Sequence, residues 1–261
     1  MKKTAKKIVI GNWKMNPSSP KEAEKLFLAI VKSISNLRKT EVAVCVPFVY
    51  IEKLKKLSKK ISIGGQNVFY EESGAYTGEI SAEMIANIGA KYVIIGHSER
   101  RAMGEKNSDI NKKLKSALSA EIIPVLCVGE IERDENHGYF NLVKTQVEEC
   151  LDGISKNLLP KIIIAYEPVW SISTTPGRRD AEAHDSKEMS IFIRKIIFDK
   201  FAGKIDMPRV IYGGSVNERD SEDFITNGGV DGLLPGKASL DPKKFAEIVR
   251  IVENLNKHAV N

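Results

Sequence analysis

Short apolar runs rich in Val and Ile recur along the whole chain, and each is followed by a polar turn and a stretch with helical periodicity. The runs are continuously apolar, which is typical of strands covered on both faces in a parallel sheet with crossover helices. The predicted strands, eight in number, are Ile8 to Lys14, Glu41 to Pro47, Ile61 to Val68, Tyr92 to Ser98, Ile123 to Glu130, Lys161 to Pro168, Arg209 to Ser215 and Val230 to Gly236.

The segments between these strands have apolar positions at the spacing of an amphipathic helix. The predicted helices are Pro20 to Ser35, Tyr50 to Lys59, Asn107 to Ala120, Tyr139 to Lys156, His184 to Phe201, Asp220 to Asn227 and Pro242 to Glu253. This number and length of strand and helix units favour a closed (β/α)8 barrel of the α/β class, the alternative being an open doubly wound sheet. No linker rich in Pro, Gly or Ser interrupts the chain, so residues 1–261 are predicted to form a single domain.

Two predicted connections are long for this architecture. Gln66 to Ser81 follows the third strand, and Val169 to Asp185 follows the sixth. Both leave the carboxyl end of a strand, where long loops usually carry function.

The composition is that of an ordinary globular protein. Hydrophobic residues make up 42% of the 261 residues and charged residues 28%, which excludes a disordered chain, a collagen-like chain and a disulfide scaffold. No run of apolar residues is long enough to span a membrane. The basic start, Met1 to Lys7, is followed by only three apolar residues, so we expect no signal peptide and a cytoplasmic location.

The three cysteines, Cys45, Cys127 and Cys150, show no C-x-x-C spacing. An odd number of cysteines without that spacing favours reduced structural thiols and argues against a zinc site or a disulfide framework.

The net charge of +6 raises the question of nucleic-acid binding. The densest basic run, Lys53 to Lys60, places Leu54 and Leu57 at helical spacing and contains no aromatic residue. A surface that stacks bases needs interleaved aromatic rings, so this run is interpreted as a solvated helix face and no nucleic-acid partner is expected.

Candidate chemistry is concentrated where the predicted strands end, which in barrels of this kind is where active sites form. The polar strand ends are GNWKMN (residues 11–16), GHSERR (96–101), AYEPVW (165–170), YGGSV (212–216) and PGKASL (235–240). Taken singly, a histidine, a glutamate, a lysine or a Gly-Gly turn is usually structural. Five such ends meeting at one mouth favour a functional site instead.

This set of residue types suits the removal of a proton from a carbon beside a carbonyl group. Glu167 can take the proton, His97 and Lys14 can polarise the carbonyl and stabilise the enediolate, and Asn12 can donate a further hydrogen bond. Glycine-rich turns expose backbone N–H groups that can bind a phosphate dianion. All the electrophiles are protein groups, so no metal and no organic cofactor is expected.

The motifs GNWKMN, GHSERR, AYEPVW and YGGSV, in this order, resemble the signatures of the triosephosphate isomerase family, and the resemblance extends over essentially the whole chain. It implies the TIM-barrel fold and the interconversion of dihydroxyacetone phosphate and glyceraldehyde 3-phosphate in glycolysis and gluconeogenesis. The alternative is a catalytically impaired barrel that binds a phosphorylated metabolite or a protein partner.

The resemblance also implies individual roles. Glu167 would be the base that moves the proton between two substrate carbons, and His97 the neutral electrophile that moves protons between the oxygens. Lys14 would balance the negative charge, with Asn12 donating beside it. Glu99 is expected to support the site by pairing with Lys14. This family is itself a standard example of a histidine kept neutral at a helix N-terminus.

Phosphate binding is expected to use backbone N–H groups, and two stretches depart from the family pattern there. The expected N–H groups belong to Ser173, Ser215, Gly236 and Lys237. Family lids commonly read A-I-G-T-G-K-T, whereas residues 171–180 read SISTTPGRRD, with an insertion of about three residues. In the turn after strand eight, Lys237 stands where the family usually has a second glycine.

The long loop Gln66 to Ser81 carries Phe69, Tyr70 and Tyr76, and exposed aromatic side chains on a long loop suggest an interface. In the family, this loop enters a pocket of the neighbouring subunit, with the position of Thr77 near its tip. A homodimer is therefore predicted, the alternative being a loop that folds back on its own barrel.

Overall fold

Eight parallel strands pair in chain order, and the first also pairs with the last, so the sheet closes into a barrel. The computed structural model describes residues 6–172, 177, 179–202 and 205–258. The strands are β1 Ile8–Asn12, β2 Glu41–Cys45, β3 Ser62–Gly65, β4 Tyr92–Ile95, β5 Ile123–Val128, β6 Ile163–Tyr166, β7 Arg209–Tyr212 and β8 Gly232–Leu233. The predicted closed barrel is confirmed, and the open doubly wound sheet is wrong.

Each strand occupies part of its predicted segment. Lys161, predicted to begin the sixth strand, instead ends the 3-10 helix Lys156–Lys161. Of the predicted site residues, Asn12 is the last residue of β1, whereas Lys14, His97 and Glu167 lie just beyond the strands that precede them.

The helices between the strands are α1 Pro20–Ser33, α2 Phe48–Leu57, α3 Ala82–Asn87, α4 Ser98–Ala102, α5 Asn107–Ser119, α6 Gly138–Cys150, α7 Ala183–Phe201, α8 Ser221–Thr226 and α9 Pro242–His258. All seven predicted helices occur, with displaced ends. Helices α3 and α4 were not predicted, because each is shorter than two turns and leaves no periodic pattern to recognise.

Local sequence explains where α1 begins and which face it buries. The Ser19 side chain accepts the N–H of Glu22 at 3.3 Å, and Pro20 occupies the first turn, where its missing N–H has no cost. Ala23, Phe27 and Ile30, spaced at three and four residues, are buried against the barrel. The Ser19 side chain thus caps the start of α1, and the buried apolar face holds the helix against the barrel.

Side chains alternate between the inside of the barrel and the layer between strands and helices. The interior cluster is Ile8, Ile10, Ala43, Cys45, Tyr92, Ile94, Val125, Cys127, Ile163, Ala165, Ile211 and Leu234. A larger cluster packs the outer strand faces against the helices. This two-layer core makes the barrel a rigid frame for the loops at its carboxyl end.

A charged network lies at the opposite, amino end of the strands. The carboxylate of Glu41 accepts hydrogen bonds from the Tyr92 hydroxyl, from Arg209 Nη1 at 2.8 Å and from Lys91 Nζ at 3.2 Å. Burial alone would raise the pKa of Glu41, but the hydrogen bonds from Tyr92 and Arg209 outweigh it and lower the pKa to about 2.

Glu41→Gln should therefore lower the free energy of unfolding at pH 7 by about 1 to 2 kcal/mol, allowing for solvent screening of a side chain that is 25% exposed. Because the folded-state pKa lies below the unfolded value, this stabilisation is present above about pH 4.5 and is lost as pH falls towards 2. Urea unfolding of both proteins between pH 7 and pH 3 measures the difference.

The matched control is Glu52→Gln, which removes an exposed i,i+4 ion pair with Lys56. We expect no measurable change in stability at either pH, because solvent screens an exposed ion pair. Equal effects of the two substitutions, or an effect of Glu41→Gln that does not shrink in acid, would contradict this account of the network.

Candidate active site

A cavity of 460 Å³ lies at the carboxyl ends of the strands. Its lining includes the predicted residues Asn12, Lys14, His97, Glu167, Ser215, Gly236 and Lys237. Glu99 lines a neighbouring cavity of 370 Å³ that shares Asn12, Lys14 and His97 with the first. Ser173, the remaining predicted residue, lies outside the described part of the chain.

Glu167 follows β6 and its side chain is almost completely buried, with 2% of the residue exposed. Its N–H donates to the Val128 carbonyl at 2.8 Å, which fixes the backbone. Its Oε2 accepts the Ser98 N–H at 3.2 Å, whereas Oε1 lies 3.4 Å from His97 Nε2 and has no hydrogen-bond partner among the described residues. A buried carboxylate oxygen with a free lone pair is suited to accept a proton.

Two glycines make the space that Glu167 occupies. A Cβ on Gly129 would lie 1.9 Å from the Glu167 carbonyl oxygen, and a Cβ on Gly213 would lie 2.9 Å from Glu167 Cγ. No side chain fits at either distance without moving the glutamate. The position of the carboxylate thus depends on glycine at the ends of β5 and β7.

His97 caps the N-terminus of α4, and its Nδ1 accepts the N–H of Glu99 at 3.2 Å. A ring nitrogen that accepts a hydrogen bond carries no proton, so this contact assigns the ring N–H to Nε2. That Nε2–H faces the cavity beside Glu167. The ring can therefore donate a proton or a hydrogen bond to a substrate oxygen.

Lys14 adopts a left-handed backbone conformation, with φ of 51°, which is unusual for a residue with a side chain. Its N–H donates to Asn12 Oδ1 at 3.0 Å, and Gln66 Nε2 donates to its carbonyl oxygen at 2.8 Å. Its Nζ lies 2.5 Å from Glu99 Oε1, and Glu99 Oε2 lies 3.7 Å from His97 Nδ1. The predicted pairing of Glu99 with Lys14 is present in this geometry.

Gln66 was not singled out by the sequence. It begins the long loop after β3, and no charge or motif marks it, yet its amide joins that loop to Lys14 and to the Cys45 carbonyl at 3.0 Å. The unusual backbone conformation of Lys14 is therefore stabilised by two hydrogen bonds, one to the Asn12 side chain and one from the Gln66 side chain.

The opposite wall is formed by the turns after β7 and β8. Ser239 Oγ donates to the Gly236 carbonyl at 2.6 Å and lies 3.2 Å from the Asn12 carbonyl, so the β8 turn is tied to the end of β1. Asn217 in the β7 turn is held by Asp220, whose pKa burial raises to about 6. Both turns are fixed before a ligand arrives.

Glu130 is a second residue that the sequence did not single out. It is fully buried, and its Oε1 accepts hydrogen bonds from the Tyr166 hydroxyl at 2.7 Å and from Trp170 Nε1 at 2.8 Å. The guanidinium of Arg179 lies over the Trp170 ring, 4.1 Å from its centroid. These contacts fix both ends of the loop that follows β6. The sequence signal for Glu130 was a carboxylate at the last position of the predicted fifth strand.

In the described ranges, no cluster of three or more His, Cys, Asp and Glu side chains could hold a metal ion, and no helix is long and apolar enough to cross a membrane.

A carboxylate, an imidazole and a lysine meet at the carboxyl end of a closed barrel, where the active sites of barrel enzymes form, and this set of groups is suited to proton transfer. A family model described as triosephosphate isomerase matches residues 7–252. The triosephosphate isomerase of Dictyoglomus thermophilum is 41% identical over 94% of this chain and 99% of its own length. That of Aquifex aeolicus is 39% identical over 94% and 98%.

A crystal structure of triosephosphate isomerase from Bartonella henselae superposes with a TM-score of 0.81 and 33% identity, covering 95% of this chain and 99% of the other. The chain belongs to the triosephosphate isomerase family and is an isomerase.

Proposed function

We propose that the protein interconverts dihydroxyacetone phosphate and glyceraldehyde 3-phosphate in the 460 Å³ cavity. The reaction proceeds by proton transfer through an enediolate, with Glu167 as the base. The observation that carries this assignment is the free Oε1 of buried Glu167, which lies 3.4 Å from His97 Nε2. Glu167, as the base for a carbon-bound proton, and His97, as the acid for the neighbouring oxygen, thus lie next to each other in the cavity.

The reaction needs no group from outside the protein. Glu167 takes a proton from the carbon beside the carbonyl, and the electron pair moves to the carbonyl oxygen to give the enediolate. His97 Nε2–H stabilises the developing negative charge and moves a proton between the two oxygens. Glu167 then returns its proton to the adjacent carbon, which completes the isomerisation.

Lys14 and Asn12 are assigned to binding and charge balance. The Lys14 ammonium offsets the negative charge of the enediolate, while Glu99 holds the ammonium in place. Asn12 fixes the Lys14 backbone through its side chain and lines the same cavity. The N–H groups of Ser215, Gly236 and Lys237 are assigned to the phosphate, and Ser173 keeps this role as an expectation from sequence.

The test is isomerisation of glyceraldehyde 3-phosphate in D2O. A proton carried on Glu167 exchanges with solvent in part, so dihydroxyacetone phosphate should form with partial deuterium at the newly protonated carbon, measured by NMR. Product without any deuterium would contradict transfer of the proton through an exchangeable carboxyl group. The alternative, a barrel that binds a metabolite without turning it over, is not favoured, and rapid turnover would exclude it.

We infer that the neighbouring 370 Å³ cavity receives the long loop of a second copy of the chain. Residues 71–79 of that loop are exposed, and Tyr76 packs against Phe69 with ring centroids 4.8 Å apart, so the loop projects as a preformed unit. Beside the cavity, Met15 is 93% exposed and Met103 81%, which is costly for an uncovered surface. Thr77 at the projecting end is assigned to the partner's cavity.

Met103→Glu should therefore convert a dimer, with twice the 29.0 kDa mass of the chain, into a monomer at micromolar concentration. The carboxylate would be buried without a partner in the interface. Sedimentation velocity measures the mass. Ile191→Glu is the control, because Ile191 is also exposed, at 58%, but lies on α7 away from this cavity, and it should remain dimeric. A monomeric wild-type protein would contradict the assignment.

The activity places the protein in glycolysis and gluconeogenesis, and a cytoplasmic location is inferred with it. Support comes from Cys45, Cys127 and Cys150, which are buried free thiols that suit a reducing compartment.

A further inference from the structure

Lys237 stands at the rim of the catalytic cavity with an exposed side chain. It begins the 3-10 helix Lys237–Leu240, directly after Gly236 in the turn that follows β8. A Cβ built on Gly236 would lie 3.5 Å from Lys14 Cε, so this turn packs beside the stem of the catalytic lysine. The Lys237 side chain therefore extends from the turn after β8, whose N–H groups are assigned to phosphate binding.

The charges around the cavity differ in how far they are already neutralised. Lys14 is paired with Glu99 at 2.5 Å. Lys244, in the first turn of α9, also lines the cavity, but its contact with Asp241 Oδ1 at 3.2 Å is made by its backbone N–H and leaves its ammonium charge unpaired among the described residues. Within the described ranges, no carboxylate lies within ion-pair distance of Lys237. Its positive charge thus remains available to a ligand.

We propose that the Lys237 ammonium binds the phosphate dianion of the substrate and selects phosphorylated over uncharged substrates, an inference that rests on the triose phosphate isomerisation proposed above. The backbone N–H groups in the turns after β7 and β8 orient the phosphate and carry only partial positive charges. The lysine adds a full positive charge on a flexible stem, which can follow the phosphate as it enters. Lys237 is then a phosphate-binding residue through its side chain as well as through its N–H.

The test compares Lys237→Met with the wild type. Methionine keeps the backbone N–H and much of the stem length, and it removes only the charge. We expect KM for glyceraldehyde 3-phosphate and the inhibition constant of inorganic phosphate to rise about three- to tenfold, since the pair is solvent-exposed. The kcat/KM for unphosphorylated glyceraldehyde should be unchanged. Lys237→Arg should restore binding of both phosphate compounds.

Lys243→Met is the matched control. It removes one positive charge from the same end of the molecule, but Lys243 does not line the cavity, so KM should stay at the wild-type value. Raising the ionic strength should weaken phosphate inhibition more in the wild type than in Lys237→Met.

Two outcomes would overturn the proposal while leaving the isomerase assignment intact. One is an active Lys237→Met enzyme with unchanged KM and unchanged phosphate inhibition. The other is an equal loss in Lys237→Met and Lys243→Met, which would indicate a general effect of net charge. An inactive wild-type enzyme would instead contradict the proposed function itself.

Discussion

Glu167→Gln should lower kcat for glyceraldehyde 3-phosphate isomerisation about a thousandfold or more, while the inhibition constant of inorganic phosphate changes little. Glutamine has the shape of glutamate and can still accept the Ser98 N–H through its carbonyl oxygen, so the fold and the phosphate turns should be retained. It cannot accept a proton from carbon at neutral pH. A coupled assay measures kcat, and thermal unfolding measures stability.

The control is Glu132→Gln, which changes an exposed carboxylate on the loop after β5 and should leave kcat unchanged. A Glu167→Gln enzyme with more than a tenth of the wild-type kcat would show that another group removes the proton. Loss of phosphate inhibition together with kcat would indicate a disrupted cavity, and the assignment of Glu167 as the base would lose its support.

Gly129→Ala should lower the free energy of unfolding by about 3 kcal/mol or more and reduce kcat about a hundredfold in the protein that still folds. The added Cβ would lie 1.9 Å from the carbonyl oxygen and 2.5 Å from the carbonyl carbon of Glu167, and backbone atoms cannot rotate away. The Gly129 peptide cannot yield either, because its N–H and carbonyl group are both hydrogen-bonded to the Gln146 amide, at 2.8 and 3.1 Å.

Gly138→Ala is the matched control for this substitution. Gly138 is exposed at the start of α6, and a Cβ there would approach no backbone atom but the Asp134 carboxylate, at 3.2 Å, which accepts the N–H groups of Gly138 and Tyr139. Alanine also favours the helix, so stability should change far less than in Gly129→Ala. Urea unfolding measures the free energy of unfolding of both variants, and the isomerase assay measures their kcat. A Gly129→Ala enzyme with wild-type stability and kcat would show that the β5 and β6 ends can separate without cost.

The strands could be predicted because each is a continuous apolar run between polar segments, and burial on both faces requires that pattern. Val93, Ile94 and Ile95 in β4 are an example: neighbours point alternately into the barrel and towards the helices, and all are buried. Asn12, Lys14, His97 and Glu167 were predicted to meet because they lie at or just after the carboxyl ends of strands, and in the structure all four line one cavity.

Other parts of the site left no such signal. Helix α4 donates the Glu99 N–H to the His97 ring, yet it is only five residues long and has no buried side chain, so no periodicity predicts it. Glu130 and Gln66 act through hydrogen bonds to residues 36 and more than 20 positions away, which spacing along the chain cannot reveal. Gly129 matters for the space it leaves empty, and only the packed structure shows what would otherwise fill it.

The two ends of the barrel carry separate charged networks, and this separation bears on how the protein can evolve. Glu41 and Arg209 tie the amino ends of strands together, whereas His97 and Glu167 lie beyond the opposite ends, with the apolar barrel interior between them. Substitutions at the amino end can therefore adapt a lineage to a new growth temperature without entering the proton-transfer path. Selection on thermal tolerance and selection on turnover can act on different residues of the same chain.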